Sequence, residues 1–234
     1  MILQRATVVL CLLLVVGCEP AGAVEGPATT LPKPLADVAP GASGELQTAV
    51  FAGGCFWGVQ AVFQHVKGVH SAISGYAGGT KKNPSYEAVS SGATGHAESV
   101  EVKFNPAQVS YGTLLTVFFS VVHDPTQLNR QGPDHGTQYR SAIFTTSADQ
   151  RRVAEAYIAQ LDAGKVFKAP IVTKVSTLEA FYPAEDYHQD YATVHPNNPY
   201  IVINDAPKVV NLQEQFADLY SGQPVLTHAQ GGAS

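Results

Sequence analysis

The chain predicts an α+β fold: a two-layer sandwich in which helices pack on a mixed β-sheet with a ferredoxin-like core. Two observations carry this. Apolar or alternating runs bounded by Gly, Pro, Asn or Ser interleave with segments of helical period, in the order strand, helix, strand, strand, helix, strand. They also fall within one stretch, residues 46–220, whose composition is that of a single globular domain, long enough for a sizeable core and short enough to need only one.

Gln47 to Ala52 reads as a buried strand. Val59, Val62, Phe63 and Val66 follow at the i, i+3, i+4, i+7 positions of an amphipathic helix that Gly68 closes, and Cys55 falls in its first turn on the same face. A short strand covers Val69 to Tyr76, Ala77-Gly78-Gly79 breaks it, and Asn83-Pro84-Ser85 opens a helical turn carrying Tyr86. From His96 to Phe104 the residues alternate, with His96, Glu98, Val100, Val102 and Phe104 on one face of a half-buried strand. Ser110 caps a helix through Val122. His123 to Gln138 is polar and rich in Gly and Pro, a long loop of the kind that carries function. Tyr139 to Thr145 is the next strand, and Ser147 with Gln150 forms a capping box for the helix Arg151 to Leu161. A strand over Ile171 to Ser176, a loop through Tyr182 to Tyr200 and a helix from Ala206 to Tyr220 complete the domain.

The ends read differently. Residues 1–17 resemble an export signal, with Arg5 ahead of the apolar run Ala6 to Val16, which is short for a membrane span. Two cleavage patterns compete. Val15-Val16-Gly17-Cys18 is like a bacterial lipobox, implying a lipid on the Cys18 sulfur, whereas Ala21-Gly22-Ala23 fits an ordinary signal peptidase. Either implies export to the bacterial periplasm, with a membrane reached only through the lipid. Residues 18–45 are rich in Pro, Gly and Ala without periodicity and are expected to be a flexible tether; residues 221–234 are expected to be a loose tail. A net charge of −5, with no run of Lys or Arg, argues against nucleic acid as partner. The only methionine is Met1, so the exported protein would contain none, which suits a place where methionine is being oxidised.

Of three cysteines, Cys11 and Cys18 lie in the first eighteen residues, so Cys55 has no downstream partner for an intramolecular disulfide. It is reactive or merely packed. Its place at a helix start, where unpaired N–H groups and the helix dipole favour a thiolate, supports reactive. Gly53, Gly54 and Gly58 are expected to leave room for a substrate, and Phe56 and Trp57 to set aromatic surfaces beside the sulfur. Glu98 faces the apolar side of its strand, where desolvation keeps a proton on the carboxyl and equips it as a general acid. Tyr86, Tyr139 and Tyr191 offer phenol donors from turn-rich stretches, and Asp134 holds a loop or a water. No histidine is placed by sequence beside Cys55, as a cysteine hydrolase would require, and no zinc spacing or nucleotide fingerprint occurs. The electrophile is then an acyl carbon, or an oxidised sulfur or peroxide.

Gly54-Cys55-Phe56-Trp57-Gly58, Tyr76-Ala77-Gly78-Gly79, Asn83-Pro84-Ser85-Tyr86, Gly95-His96-Ala97-Glu98 and Gly136-Thr137-Gln138-Tyr139-Arg140-Ser141 together resemble the A class of peptide methionine sulfoxide reductases. The likeness continues through Ala184-Glu185-Asp186-Tyr187-His188-Gln189-Asp190-Tyr191 to Asn197-Asn198-Pro199-Tyr200, covering nearly the whole domain in order. The resemblance implies that Cys55 attacks the sulfoxide sulfur, that Phe56 and Trp57 enclose the substrate methyl, and that Glu98 protonates the departing oxygen, with Tyr86 and Tyr139 hydrogen-bonding it. Asp134 and Tyr191 match further site positions. It also implies action on the S epimer, in oxidised proteins, peptides and the free amino acid.

Many members carry resolving cysteines near the C-terminus; here that region reads Tyr200-Ile201-Val202-Ile203-Asn204-Asp205. The chain is thus similar to the one-cysteine members. Its sulfenic acid would be reduced by an external thiol (thioredoxin-like, glutaredoxin-like, or dithiothreitol in vitro), with no cofactor or metal and in a monomer. Two other readings stay open: a one-cysteine thiol peroxidase, which would want an Arg or Thr by the sulfur, and a module that binds oxidised methionine without turning it over.

Overall fold

The computed structural model describes residues 31–40 and 45–227. β1 (Gln47–Gly53) leads into α1 (Phe56–Gln64), followed by β2 (Val69–Ala77), α2 (Tyr86–Ser90), β3 (Ala97–Phe104) and α3 (Tyr111–Val117). Next come β4 (Arg130–Gln131), β5 (Asp134–His135), β6 (Ser141–Thr145), α4 (Ala148–Ala163), β7 (Lys174–Thr177), β8 (Phe181–Pro183), α5 (Tyr191–Val194) and α6 (Ala206–Gln215). Six strands form one sheet in the order β7-β6-β1-β3-β2-β8, and β4 and β5 pair in a separate small hairpin. The central four, β6-β1-β3-β2, are antiparallel, with α1 crossing from β1 to β2 and α3 lying in the chain between β3 and β6. That is the expected ferredoxin-like core. β7 adds parallel to β6 and makes the sheet mixed; β8 adds antiparallel to β2.

The sheet buries its two faces unequally. On one, Phe51 of β1 stacks on Phe63 of α1 and on Phe118, each with ring centroids 5.0 Å apart, and Val153, Tyr157 and Leu161 of α4 close the same cluster. The other carries a small cluster of Val50, Ala52, Ala77, Ala97, Ala142 and Phe144, with Leu178 and Phe181 against it. Alternation along β1 explains the split, since Phe51 and Val50 must point to opposite sides. The β1–β3 register, Phe51 opposite Val100, brings Glu98, two residues earlier in β3, level with the turn after β1. That register aims the acid at Cys55.

Several boundaries differ from the sequence reading, each for a local reason. α3 ends at Val117 and continues as a π-turn, Phe118–Val122. Tyr139 lies in a 3-10 turn, Thr137–Tyr139, ahead of β6 instead of opening it. The expected strand from Ile171 begins only at Lys174, because the Ile171 N–H is taken by the Asp162 carboxylate and the Val172 N–H by the Pro125 carbonyl. β8 was unforeseen: three residues cannot show alternation, and Pro183 suits only an edge. The last helix stops at Gln215, five residues before Tyr220, and a second π-turn, Ile201–Asp205, precedes it.

Residues 31–40 correct the expectation of an unordered tether over 18–45. Leu31 is 3% exposed within the main core, the Tyr157 hydroxyl donates to the Pro32 carbonyl at 2.7 Å, and Gln160 donates to Lys33 O while accepting from the Leu35 N–H. Asp37 takes the Gly112 N–H at 2.7 Å and the Ser110 hydroxyl, so it caps α3 alongside Ser110. One buried leucine contributes about 1.5–3 kcal/mol, enough to hold a short strap that composition alone reads as loose. The expected loose tail is likewise docked through Thr227: Val225 N–H donates to Gln64 O, and Thr227 N–H to the Asp190 carboxylate. The signal segment and Cys18 lie outside the described residues.

Candidate active site

β1 ends in a tight turn whose glycines do something other than admit a substrate. Gly54 has φ +96°, and a Cβ there would sit 2.6 Å from the Cβ of Gln131; a Cβ on Gly58 would sit 2.1 Å from Asp205 Oδ1. The space expected for substrate is therefore filled by the β4–β5 hairpin and by the start of α6. What the glycines secure is close packing of those two segments around Cys55.

Cys55 occupies the N-cap position of α1, 8% exposed, and borders an opening lined also by Gln131, Gly132, Pro133, Asp134, Tyr200, Asn204 and Lys208. Burial and the nearby Glu98 and Asp205 push its thiol well above the usual range; the Trp57 N–H and the Lys208 ammonium act the other way but are outweighed. The resting sulfur is thus a thiol, which corrects the expectation of a thiolate. The reason lies in how the helix start is used. The Trp57 N–H is the one helix-start donor named as acting on the sulfur, whereas the Phe56 N–H, the first free donor of the helix, goes to Glu98 Oε2 at 3.0 Å.

Glu98 is 2% exposed, and burial raises its carboxyl to about 8, with Asp134 and Asp205 adding to the rise and the Phe56 N–H opposing it. It carries its proton at neutral pH, as alternation in β3 predicts. Tyr86 and Tyr139 are half-buried phenols whose acidities are both lowered by burial and by the charges of Glu98 and Cys55, which puts all four groups within electrostatic reach of one another. Asp134 reaches the site from β5, where it accepts a short hydrogen bond from the Tyr200 hydroxyl. Tyr200 also responds to the charge on Cys55.

The two aromatics after Cys55 have different settings. Phe56 is buried against Tyr76 and His188, whereas Trp57 is only partly covered and presents surface. Trp57 is fixed on three sides: its Nε1–H donates to His188 Nδ1 at 3.2 Å, Tyr191 stacks on it at 3.8 Å and 11°, and Tyr200 meets it edge-on. Tyr191 therefore acts on Trp57, with its own hydroxyl accepting from Asn198.

Sequence reasoning missed Tyr200, His188, Asp205 and Lys208. Tyr200 and His188 stand in motifs already singled out but were given no role. Asp205 and Lys208 stand either side of Ala206-Pro207 in the first turn of α6, a helix-opening signal that would have set them on one face. Among the described residues no group of three or more His, Cys, Asp or Glu is arranged to hold a metal ion.

A thiol that can take an oxygen atom, beside an acid that can supply a proton, is the equipment of a thiol-dependent oxidoreductase. Comparison with known proteins agrees. The family model described as peptide methionine sulfoxide reductase matches residues 47–220. A peptide methionine sulfoxide reductase of Mesorhizobium japonicum is 61% identical over 180 residues, covering 77% of this chain and 92% of that protein. One from Synechocystis is 51% identical, covering 82% and 91%. The solved methionine sulfoxide reductase A of Corynebacterium diphtheriae superposes with a TM-score of 0.58 at 36% identity, over 67% of this chain and 78% of that one. Mxr1 from Saccharomyces cerevisiae in reduced form gives 0.56 at 33%, over 66% and 88%. The chain belongs to the peptide methionine sulfoxide reductase family.

Proposed function

We propose that this protein reduces the S epimer of methionine sulfoxide, in proteins, peptides and the free amino acid, to methionine, and that an external thiol restores Cys55. The observation that carries the reading is the pairing at the start of α1: the Cys55 sulfur and an un-ionised Glu98 share one helix terminus, with Glu98 oriented by the Phe56 N–H. The sulfoxide oxygen accepts the Glu98 proton as the Cys55 sulfur bonds to the substrate sulfur. The S–O bond breaks, oxygen passes to Cys55, and methionine leaves with a sulfenic acid behind it. The Cys55 thiol proton balances the step by replacing the one Glu98 gave. Trp57 offers the apolar surface for the substrate methyl, and Tyr86 and Tyr139 donate to the oxygen.

A thiol then attacks the sulfenic acid, releasing water and leaving a mixed disulfide that a second thiol splits. With no cysteine after Cys55, both thiols come from outside, from a thioredoxin-like or glutaredoxin-like protein. The export signal and the lipobox-like run before Cys18 support a periplasmic repair enzyme on a lipid anchor. A peroxidase reading is disfavoured by Arg140, whose guanidinium is held by the Thr137 and Gly95 carbonyls. Turnover of each epimer of dabsylated methionine sulfoxide with dithiothreitol tests the reading. Reduction of the S epimer alone is expected; consumption of peroxide without it refutes the assignment. Mass spectrometry of the mature N-terminus checks the anchor, a diacylglyceryl Cys18 being expected and a free Val24 refuting it.

A further inference from the structure

The least explained group near Cys55 is an ion pair. Lys208 Nζ lies 3.0 Å from Asp205 Oδ1, with Lys208 5% exposed and Asp205 fully buried, while Asp205 Oδ2 has no hydrogen-bond partner among the described residues. A pair this buried is a weak source of stability, because desolvation offsets most of the attraction. Its position suggests another use. Gly58, three residues after the nucleophile, is what lets the pair approach: a side chain there would strike Asp205 Oδ1 at 2.1 Å and Lys208 Nζ at 2.8 Å. Lys208 also lines the opening that Cys55 borders.

We propose that the Asp205–Lys208 pair sets the charge of the Cys55 sulfur: Asp205 keeps the proton on it in the resting protein, and Lys208 is the cation that holds it as a thiolate once the negative charge of Asp205 is offset. This rests on the reductase reading and deepens it. The cycle needs a thiolate twice, as nucleophile toward the sulfoxide and as leaving group when R–S⁻ attacks the mixed disulfide Cys55–S–S–R′ to give R–S–S–R′ and Cys55–S⁻. Between those moments a free thiolate bordering an opening is susceptible to oxidation, and a proton on the sulfur protects it. The other groups facing the sulfur are Glu98, Asp134 and the phenols of Tyr86, Tyr139 and Tyr200, so Lys208 is the one cation there among the described residues. Of the pair, Asp205 has the stronger effect on the sulfur.

The test reads Cys55 without turnover. Iodoacetamide alkylation is followed from pH 5 to 10 by the mass of the tryptic peptide containing Cys55, with circular dichroism to confirm the fold. Asp205→Asn leaves Lys208 uncompensated, and Cys55 should be alkylated on the order of tenfold faster at pH 7. The double variant Asp205→Asn/Lys208→Met removes both charges and should fall between the single variant and the wild type. A single variant no faster than wild type overturns the proposal, as does a double variant as fast as the single. Should Asp205→Asn fail to fold, the neutral double variant carries the test, since it too must react faster than wild type and equal rates refute the idea. A wild type that shows no sulfoxide turnover sinks the reductase reading and leaves this measurement intact.

Discussion

Replacing Glu98 by Gln isolates one proton. The amide retains an oxygen to accept the Phe56 N–H at 3.0 Å, so the start of α1 and the placement of Cys55 are kept while the acid is removed. The magnitude follows from the environment. A carboxyl raised to about 8 is about nine-tenths protonated at pH 7, whereas one at 4.5 would be about 0.3% protonated, so burial supplies roughly 300 times more of the acid form. Loss of a positioned general acid slows the step it serves by about 10²–10⁴, or about 3–5 kcal/mol of barrier. The assay is a single turnover without reductant, with methionine release measured after rapid quenching and the fluorescence of Trp57, the chain's only tryptophan, as a second signal. Wild type should lose rate as pH rises through about 8, where Glu98 ionises, and the variant should be slow with that alkaline fall gone. An undiminished rate at pH 7, or the same alkaline fall in the variant, removes Glu98 from the chemistry.

Three further predictions concern the frame around the site. Leu31→Ala should lower stability by about 2–3 kcal/mol through the cavity it leaves, seen as a fall of several degrees in Tm; an unchanged Tm would show that the strap is not docked in solution. Gly58→Ala should destabilise by about 1–3 kcal/mol and disturb Cys55 reactivity, because its methyl meets Asp205 and Lys208; a variant as stable as wild type refutes the close packing of α1 on α6. His123, buried and bonded to Phe118 O and Ser141 Oγ, is lowered to about 3 by burial, so its stabilising effect is whole above pH 6.5 and is lost as pH falls toward 3. Chemical denaturation across that window should show a decline that His123→Gln flattens, and parallel slopes would refute the assignment.

The parts of the site that were legible in the sequence were those written in local pattern. Cys55 announced itself by standing between a strand and a helix, and Glu98 by sharing a strand face with Val100, Val102 and Phe104. The four-strand core followed from element order, since a crossover and a hairpin leave few arrangements for such short connections. What stayed hidden depends on distant pairings. Tyr200 matters because it reaches Asp134, 66 residues away, and the strap from Leu31 is held where Tyr157 and Gln160 of α4 donate to its carbonyls. The role of Gly58 could not be read from its neighbours either, because the groups filling its empty side belong to α6.

The same distinction explains why the sulfur is a thiol at rest although it sits where a thiolate is expected. A helix start favours negative charge through a few free N–H groups, and here the Phe56 N–H is directed to the Glu98 carboxyl. Burial and the Asp205 carboxylate outweigh Lys208, the one cation among the described residues at the opening, so negative charge on sulfur is disfavoured until something changes that balance. A polarised sulfoxide oxygen that draws the Glu98 proton toward itself leaves a carboxylate able to take up the Cys55 proton at the moment of attack. The Cys55 proton is then released only as the Glu98 proton is taken up, which ties formation of the nucleophile to the presence of something for it to reduce. Alkylation of Cys55 in the presence of a non-reducible methyl sulfone, which fills the site but keeps its oxygens, should therefore be blocked by occupancy alone and not accelerated. Acceleration would mean that polar occupancy without proton transfer suffices to ionise the sulfur.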